Sequence, residues 1–563
     1  MIVNQLAGLR RFASIAVLLL AGCILGPAEG GCGGMPRRED RGGLIVLYLY
    51  GSYEEMGRQE ARLLGQTAID GETLYGDHWK GLLARMGAGV KIANALWLPV
   101  LSWAGPLYEQ SGMFAESAGI SEELGISRTD SVRLFYGGIF GGSTSFVATR
   151  KATLGGGAIL GRNIDWDDDG GLRRPVVVHY YPDNGDLAYI SAGWQLGRIP
   201  IAGLNEAGLA VSINFFESDQ MVGLNFPQFA YRRILQRSRT VNEAVDLLNS
   251  TRDLGGPGFV VLADAGGAIA MAECRPSGCS IYRPEGDWFA QSNYARTPEM
   301  VPHDRGRTPD SVRRRAAMEA AVRPDLGAIT PAVAANILRD RSSSPYVNDS
   351  IVANLFVMNS LVVEPASRTL WHSTSNEPFA PFGEMVPFSP VGEVKARKLE
   401  ADPRLGEASA RHQAEVIASM RIATRLTDSG RSKEALALWD RIARSNEAFV
   451  DPSRIAWARA RILATMGRDQ EADQLLAPLD TDSTPAEVRV YALLARGALA
   501  GRLGKSEQAL ALYQRVAQCL DSLPQYAQSS LFATAREQAT EVLAGNTPDR
   551  ALSDLPDLAM VPR

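Results

Sequence analysis

One stretch, Gly141 to Trp166, constrains this chain more than any other. It reads GGSTSFVATRKATLGGGAILGRNIDW, with two runs of strand formers, Ser145 to Thr149 and Ala158 to Asn163, on either side of Gly155-Gly156-Gly157. Such runs around a glycine cluster predict a β-hairpin. A hydroxyl residue, Ser143, therefore opens one strand, and the returning strand ends in Arg162-Asn163-Ile164-Asp165.

An internal serine is a poor nucleophile until a neighbouring base takes its proton. The usual base is histidine, and the five here, His78, His179, His303, His372 and His412, fall in no triad motif. No Gly-x-Ser-x-Gly elbow surrounds Ser143, which argues against a conventional serine hydrolase. Scission of the Gly142-Ser143 bond offers another base, because the α-amine so formed has a pKa of about 7.7–8.0. A terminal amine can activate the hydroxyl of its own residue. Gly142, lacking Cβ, leaves its carbonyl open to attack. The bland alternative makes Gly142-Ser143-Thr144 a turn entering a strand, Arg162 and Asp165 a structural ion pair, and Asn293 a turn residue.

The chain has 563 residues, 45% of them hydrophobic, enough for two or three domains. Its formal charge of −5 and its lack of any Lys/Arg-rich tract exclude an electrostatic case for nucleic acid. No CxxC pair or His cluster has ligand spacing, so neither metal nor cofactor is expected. Arg10-Arg11, the apolar run Phe12 to Leu20 and Leu20-Ala21-Gly22-Cys23 predict an export signal over 1–22 with Cys23 lipidated. Residues 23–43, including Cys32 in a Gly-rich run, are then a tether. On this reading the protein sits in a bacterial envelope, held to the membrane by lipid alone; the alternative is a soluble exported protein. Cys274 and Cys279 are either bridged or two free thiols, and Cys519 is a core helix residue.

Along the chain, Leu44 to Tyr50 is a predicted strand, Tyr53 to Gln66 a helix and Ser117 to Phe135 another. Trp79 to Ala115 is apolar but broken by Pro99 and Pro106, which predicts buried helices or a lobe beside the substrate. Phe226 to Asn249 reads as one long helix, and Ile351 to Glu364 and Arg368 to Ser373 as closing strands. Beyond Lys395 the strands stop. Gly430, Gly467 and Gly504 recur every 37 residues, in phase with Ala435, Ala472 and Ala509 and with Leu438, Leu475 and Leu512. This is a helical-hairpin repeat. The segment Gly406 to Leu543 resembles tetratricopeptide repeats, which either bind a peptide partner or only pack.

Four motifs in order carry a family resemblance: GGSTSF, GRNIDW, GLNEAGLAVSINF at Gly203 to Phe215, and AQSNYA at Ala290 to Ala295. With GSYEEMG at Gly51 to Gly57 and SRTLW at Ser367 to Trp371, they resemble the isopenicillin N acyltransferase family of self-cleaving N-terminal-nucleophile (Ntn) hydrolases. The resemblance runs from about Leu44 to Phe388, with Ser143 where the family usually has Cys. It implies an α+β fold, a four-layer αββα sandwich over 143–395, followed by an all-α repeat domain over 396–547 and a tail over 548–563. Residues 44–142 become a small chain that stays packed on the core. Ser143 is then the nucleophile, Asp165 orients the freed amine, Arg162 places a cation near that carboxylate, Asn293 serves the oxyanion hole and Asn214 adds polar contacts. The expected activity is cleavage or transfer of the acyl group of a small N-acylated compound through an acyl-enzyme on Ser143. The other class of function is a catalytically silent module that holds a partner through its repeats.

Overall fold

The computed structural model describes residues 34–70, 73, 111–133, 142–165, 174–196, 201–221, 227–251, 254, 256–375, 378–392, 394–445, 447–546, 555 and 558. The predicted signal, Cys23, Cys32, His78, Trp166 and most of Trp79 to Ala115 lie outside these residues.

Among the described residues fifteen strands make two sheets. In chain order they are β1 (Arg37–Arg41), β2 (Leu44–Gly51), β3 (Gly142–Arg150), β4 (Gly156–Asp165), β5 (Pro175–Pro182), β6 (Tyr189–Trp194), β7 (Ala202–Asn205), β8 (Leu209–Asn214), β9 (Gly258–Asp264), β10 (Ile269–Arg275), β11 (Gly278–Tyr282), β12 (Trp288–Gln291), β13 (Val357–Glu364), β14 (Thr369–Ser373) and β15 (Met385–Phe388). The first sheet runs β1-β2-β5-β6-β7-β8-β9-β10-β11 and the second β12-β3-β4-β13-β14-β15. The pairing of β2 with β5 is parallel.

Alternation of side chains along each strand separates the layers. Val46, Val177, Ile190 and Val261 of the first sheet share a buried core with Val147, Leu160, Leu361 and Leu370 of the second, so the sheets pack face to face. Leu47, Val176, Val178 and Leu262 face the other way, under helices α1 (Tyr53–Leu64), α2 (Met113–Leu124), α4 (Pro227–Arg237) and α5 (Val241–Ser250); a short α3 (Arg128–Arg133) follows α2. Phe146, Ala148, Val362 and Trp371 pack the far side of the second sheet against α6 (Pro309–Val322) and α7 (Pro331–Leu338). The result is helix, sheet, sheet, helix.

Four local features differ from the sequence reading. The helix predicted over Ser117 to Phe135 begins at Met113 and breaks at Gly125, in the left-handed conformation, before α3. Within the stretch read as a tether, Arg37–Arg41 is a strand paired antiparallel with β2. The helix predicted over Phe226 to Asn249 breaks at Thr240, whose hydroxyl accepts the Glu243 N–H while the Glu243 carboxylate accepts the Arg239 N–H, a reciprocal N-cap that starts α5. The strand predicted from Ile351 begins only at Val357, because the Asn354 side chain turns the chain by accepting the Phe356 N–H. Cys274 and Cys279, opposite each other on β10 and β11, are disulfide-bonded, and Cys519 is free.

The repeat region forms three helical hairpins, α8 (Ala408–Asp428) with α9 (Ser432–Ser445), α10 (Pro452–Thr465) with α11 (Asp469–Leu476) and α12 (Ala486–Arg502) with α13 (Ser506–Asp521), closed by α14 (Ala533–Leu543). Gly430, Gly467 and Gly504 turn each hairpin at φ 74°, 75° and 74°, a left-handed conformation that glycine adopts without steric cost. Ala435, Ala472 and Ala509 are buried where the second helix crosses the first. Among the described residues no helix is long and apolar enough to cross a membrane.

A buried ion pair ties α2 to the core: the Arg232 guanidinium bonds Glu116, whose other oxygen accepts the Tyr180 hydroxyl at 3.0 Å. The guanidinium carbon lies 4.9 Å from both the Tyr53 and Tyr180 ring centres. Glu116→Gln strands a buried cation and is expected to cost about 3–5 kcal/mol in chemical denaturation; a loss under about 1 kcal/mol contradicts this view of the pair.

Candidate active site

Ser143 lies inside β3, second from its start, rather than in a turn, and it is 3% exposed. Its partner strand β4 brings Asp165 opposite Gly142, and a Cβ on Gly142 would meet the Asp165 Cβ at 3.1 Å. A side chain at 142 would therefore press on the Asp165 and Arg314 side chains, which would have to shift by a few tenths of an ångström.

The site has two sides, set by strand parity. On the inner side, facing the first sheet, the Arg162 Nη2 donates to Ser143 Oγ at 2.8 Å. Its Nη1 donates to Ser212 Oγ at 3.0 Å and to the Ile201 carbonyl. Arg162 is 1% exposed, and burial, partly offset by Asp165, pushes its guanidinium down to about 9. On the outer side, α6 delivers Arg314. Its Nη1 donates to the Ser143 carbonyl and to Thr144 Oγ1, each at 2.9 Å, and its Nη2 to Asn293 Oδ1 at 2.9 Å. Two carboxylates balance it, Asp310 at 2.8 Å and Asp165 at 3.2 Å. Asp165 also accepts the Asn354 Nδ2 at 3.1 Å. Burial pushes the Asp165 carboxyl up to about 6, against the pull of Arg314.

Asn293 closes the site from the loop after β12. Its Oδ1 accepts the Ser143 N–H at 3.0 Å and its Nδ2 donates to the Phe215 carbonyl at 2.8 Å. Buried carboxylates pin this loop: Asp304 accepts the Ala295 and Gly306 N–H groups, and Glu273 those of Arg296 and Thr297. Asn214 sits one step along β3, exchanging a hydrogen bond with Ser145 Oγ and donating to the Ser292 carbonyl at 3.1 Å. Thr308 starts α6 with a capping box to Ser311, which sets the helix phase that aims Asp310 and Arg314 at the strands.

The expected residues thus converge. Arg162 is near enough to Asp165 for their charges to interact, but it donates to the Ser143 hydroxyl and makes no hydrogen bond to Asp165, because residues three apart on a strand face opposite sides. The cation on Asp165 is Arg314, which no local sequence signal marked beyond the helix start at Thr308-Pro309. Both ends of the Asn293 amide, expected in an oxyanion hole, are engaged here, Oδ1 by the Ser143 N–H and Nδ2 by the Phe215 carbonyl. Asn354 also went unread, inside a predicted strand. Of the histidines, His179 and His372 are buried away from Ser143's partners, and burial lowers them to about 3 and about 4. Among the described residues no cluster of three or more His, Cys, Asp or Glu could hold a metal ion.

Residues 153–377 match the family model described as acyl-coenzyme A:6-aminopenicillanic acid acyl-transferase. The match takes in Arg162, Asp165, Asn214, Asn293, Arg314 and Asn354 and begins after Ser143. No curated protein matches the chain. Among solved structures, a Caenorhabditis elegans N-acylethanolamine-hydrolyzing acid amidase ortholog is 18% identical, covering 40% of this chain and 93% of its own with a TM-score of 0.28. A mutant of the conjugated bile acid hydrolase from Clostridium perfringens is 12% identical, covering 46% and 98% with a TM-score of 0.33.

Arg314→Gln leaves Asp165 and Asp310 buried without their cation, at an expected cost of about 3–5 kcal/mol near pH 8. Without Arg314 the Asp165 carboxyl sits still further above its unfolded value, so the folded variant gains a proton more readily and the deficit shrinks as pH falls. Urea unfolding at pH 8 and pH 5.5 checks the sign; a deficit that grows on acidification contradicts it.

Proposed function

A domain of the acyl-coenzyme A:6-aminopenicillanic acid acyl-transferase family occupies residues 153–377 of this chain, and from that premise we propose a self-cleaving amide hydrolase or acyl-transferase whose nucleophile is Ser143. The observation that carries the reading is the 2.8 Å hydrogen bond from a buried guanidinium, Arg162, to Ser143 Oγ. A cation there lowers the cost of developing negative charge on that oxygen, and burial magnifies the effect.

Activation comes first. Ser143 Oγ attacks the Gly142 carbonyl carbon, the Oγ–C bond forms, the C–N bond breaks, and the hydroxyl proton ends on the Ser143 nitrogen. Asn293 Oδ1 already accepts from that nitrogen and holds it as it leaves. Water then splits the ester, which gives the Gly142 carboxylate, restores the hydroxyl and frees the amine. In turnover the amine takes the hydroxyl proton while Oγ attacks the acyl carbonyl of a substrate amide, then passes it to the departing amine. Water or a second amine takes the acyl group from Ser143. Arg314, fixed by Asp165 and Asp310, holds the Ser143 carbonyl and keeps β3 from moving as charge shifts.

The substrate class is a small N-acylated compound. Leu20-Ala21-Gly22-Cys23 supports export and lipid anchoring, and the Cys274–Cys279 disulfide fits an oxidising compartment. Serine in place of the family's cysteine is the one feature that favours a silent module tethering a partner through its repeats.

Ser143→Ala is expected to leave one uncut chain with no turnover of N-acyl substrates, whereas Ser143→Cys retains both, as read by denaturing gel and product chromatography. Turnover by the Ala variant contradicts the proposal. Because Asp165 must be ionised to fix Arg314, the rate of fragment appearance is expected to fall as pH drops through about 6; a rate unchanged between pH 7 and pH 5 contradicts that role.

A further inference from the structure

The repeat domain grips the two segments that hold Asp165. Arg313 stands beside Arg314 on α6 and turns the opposite way, where its Nη2 meets Glu487 Oε1 of α12 at 2.6 Å and its Nη1 meets Oε2 at 3.3 Å. Arg454 of α10 binds the same carboxylate at 2.7 Å. Glu487 and Arg454 are both fully buried. Although burial opposes it, the paired guanidiniums hold the Glu487 carboxyl down to about 2. Arg313 Nη2 also donates to Ser350 Oγ at 3.1 Å.

Ser350 belongs to the segment that presents Asn354 to Asp165, and this segment is built into the repeats at several points. The Val347 N–H donates to the Phe449 carbonyl at 2.8 Å, the Asp451 N–H to Asn348 Oδ1 at 2.8 Å, and Arg421 to the Leu355 carbonyl at 3.0 Å. Val347, Leu355 and Phe356 are members of the repeat core, and Val312 of α6 packs on it. Both partners of Asp165, Arg314 and Asn354, therefore stand one residue away from side chains anchored in the repeats.

We infer that the repeat domain is part of the active site's framework, and that Glu487 is a positioning residue acting through Arg313 and the 347–356 segment on Arg314, Asn354 and Asp165. This rests on the proposed Ser143 chemistry for its kinetic consequence, but not for its structural one. Misplacement of a catalytic constellation by about 1 Å costs about a hundredfold, so a distant carboxylate that fixes α6 has leverage on rate without touching substrate.

The test uses the full chain with Glu487→Gln, which conserves volume, Arg313→Leu, and the two combined, with the exposed Glu471→Gln as a control. Hydrogen exchange is followed in peptides covering 143–150 and 347–356, together with kcat and KM on a chromogenic N-acyl amide. The expected result is faster exchange in both peptides and a kcat lowered about tenfold to a hundredfold, with KM nearly unchanged. The double variant is expected to be no worse than the worse single, since both act through one contact. If Glu487→Gln does not fold, Arg313→Lys, which keeps the charge and loses the two-point contact, is read the same way. Exchange unchanged in both peptides overturns the inference, as does additive loss in the double variant. Altered exchange in a chain whose wild type neither cleaves nor turns over supports the framework role and refutes the Ser143 chemistry.

Discussion

Everything at this site depends on a guanidinium kept out of water next to a hydroxyl. Arg162 is buried, has no carboxylate in bonding contact, and spends its donors on a carbonyl, Ser212 and Ser143 Oγ. Taking a cation from water is costly unless charge or hydrogen bonds replace hydration. Here the replacement is incomplete in the resting chain, and in the proposed mechanism a developing alkoxide on Ser143 would complete it. The depressed Arg162 titration is the same fact seen from the other side.

The outer side solves the opposite problem. Asp165 and Asp310 are two carboxylates buried near each other, and Arg314 neutralises both while its remaining N–H groups hold the Ser143 carbonyl, Thr144 and the Asn293 amide. One side chain thus links strand, helix and loop around Ser143. Such a network tolerates little displacement, because each lost contact leaves a buried charge or dipole unpaired. That is the physical reason a helical-repeat domain clasping α6 and the 347–356 segment would bear on the proposed chemistry.

Local chemistry in the sequence disclosed the hairpin and the repeat phase, since glycine clusters, strand formers and a 37-residue period are short-range signals. The four-layer α+β core was implied by the family resemblance of the ordered motifs. Strand parity was also present in the sequence: Arg162 and Asp165 are three residues apart, so their side chains leave β4 on opposite faces. The contacts made across the fold were not legible. Arg314 reaches Ser143 across 171 positions and Asn354 reaches Asp165 across 189, and no spacing rule connects such pairs. The break at Thr240 and the late start of β13 went unread because side-chain caps, at Thr240 and Asn354, overrode runs that looked continuous.

The central claim is that Ser143 works as a chain terminus. Amino-terminal sequencing and intact mass of purified wild-type protein that turns over an N-acyl amide test this directly. The account predicts a fragment beginning Ser-Thr-Ser-Phe, recovered with its companion ending at Gly142. Active protein in which residues 142 and 143 remain joined contradicts it.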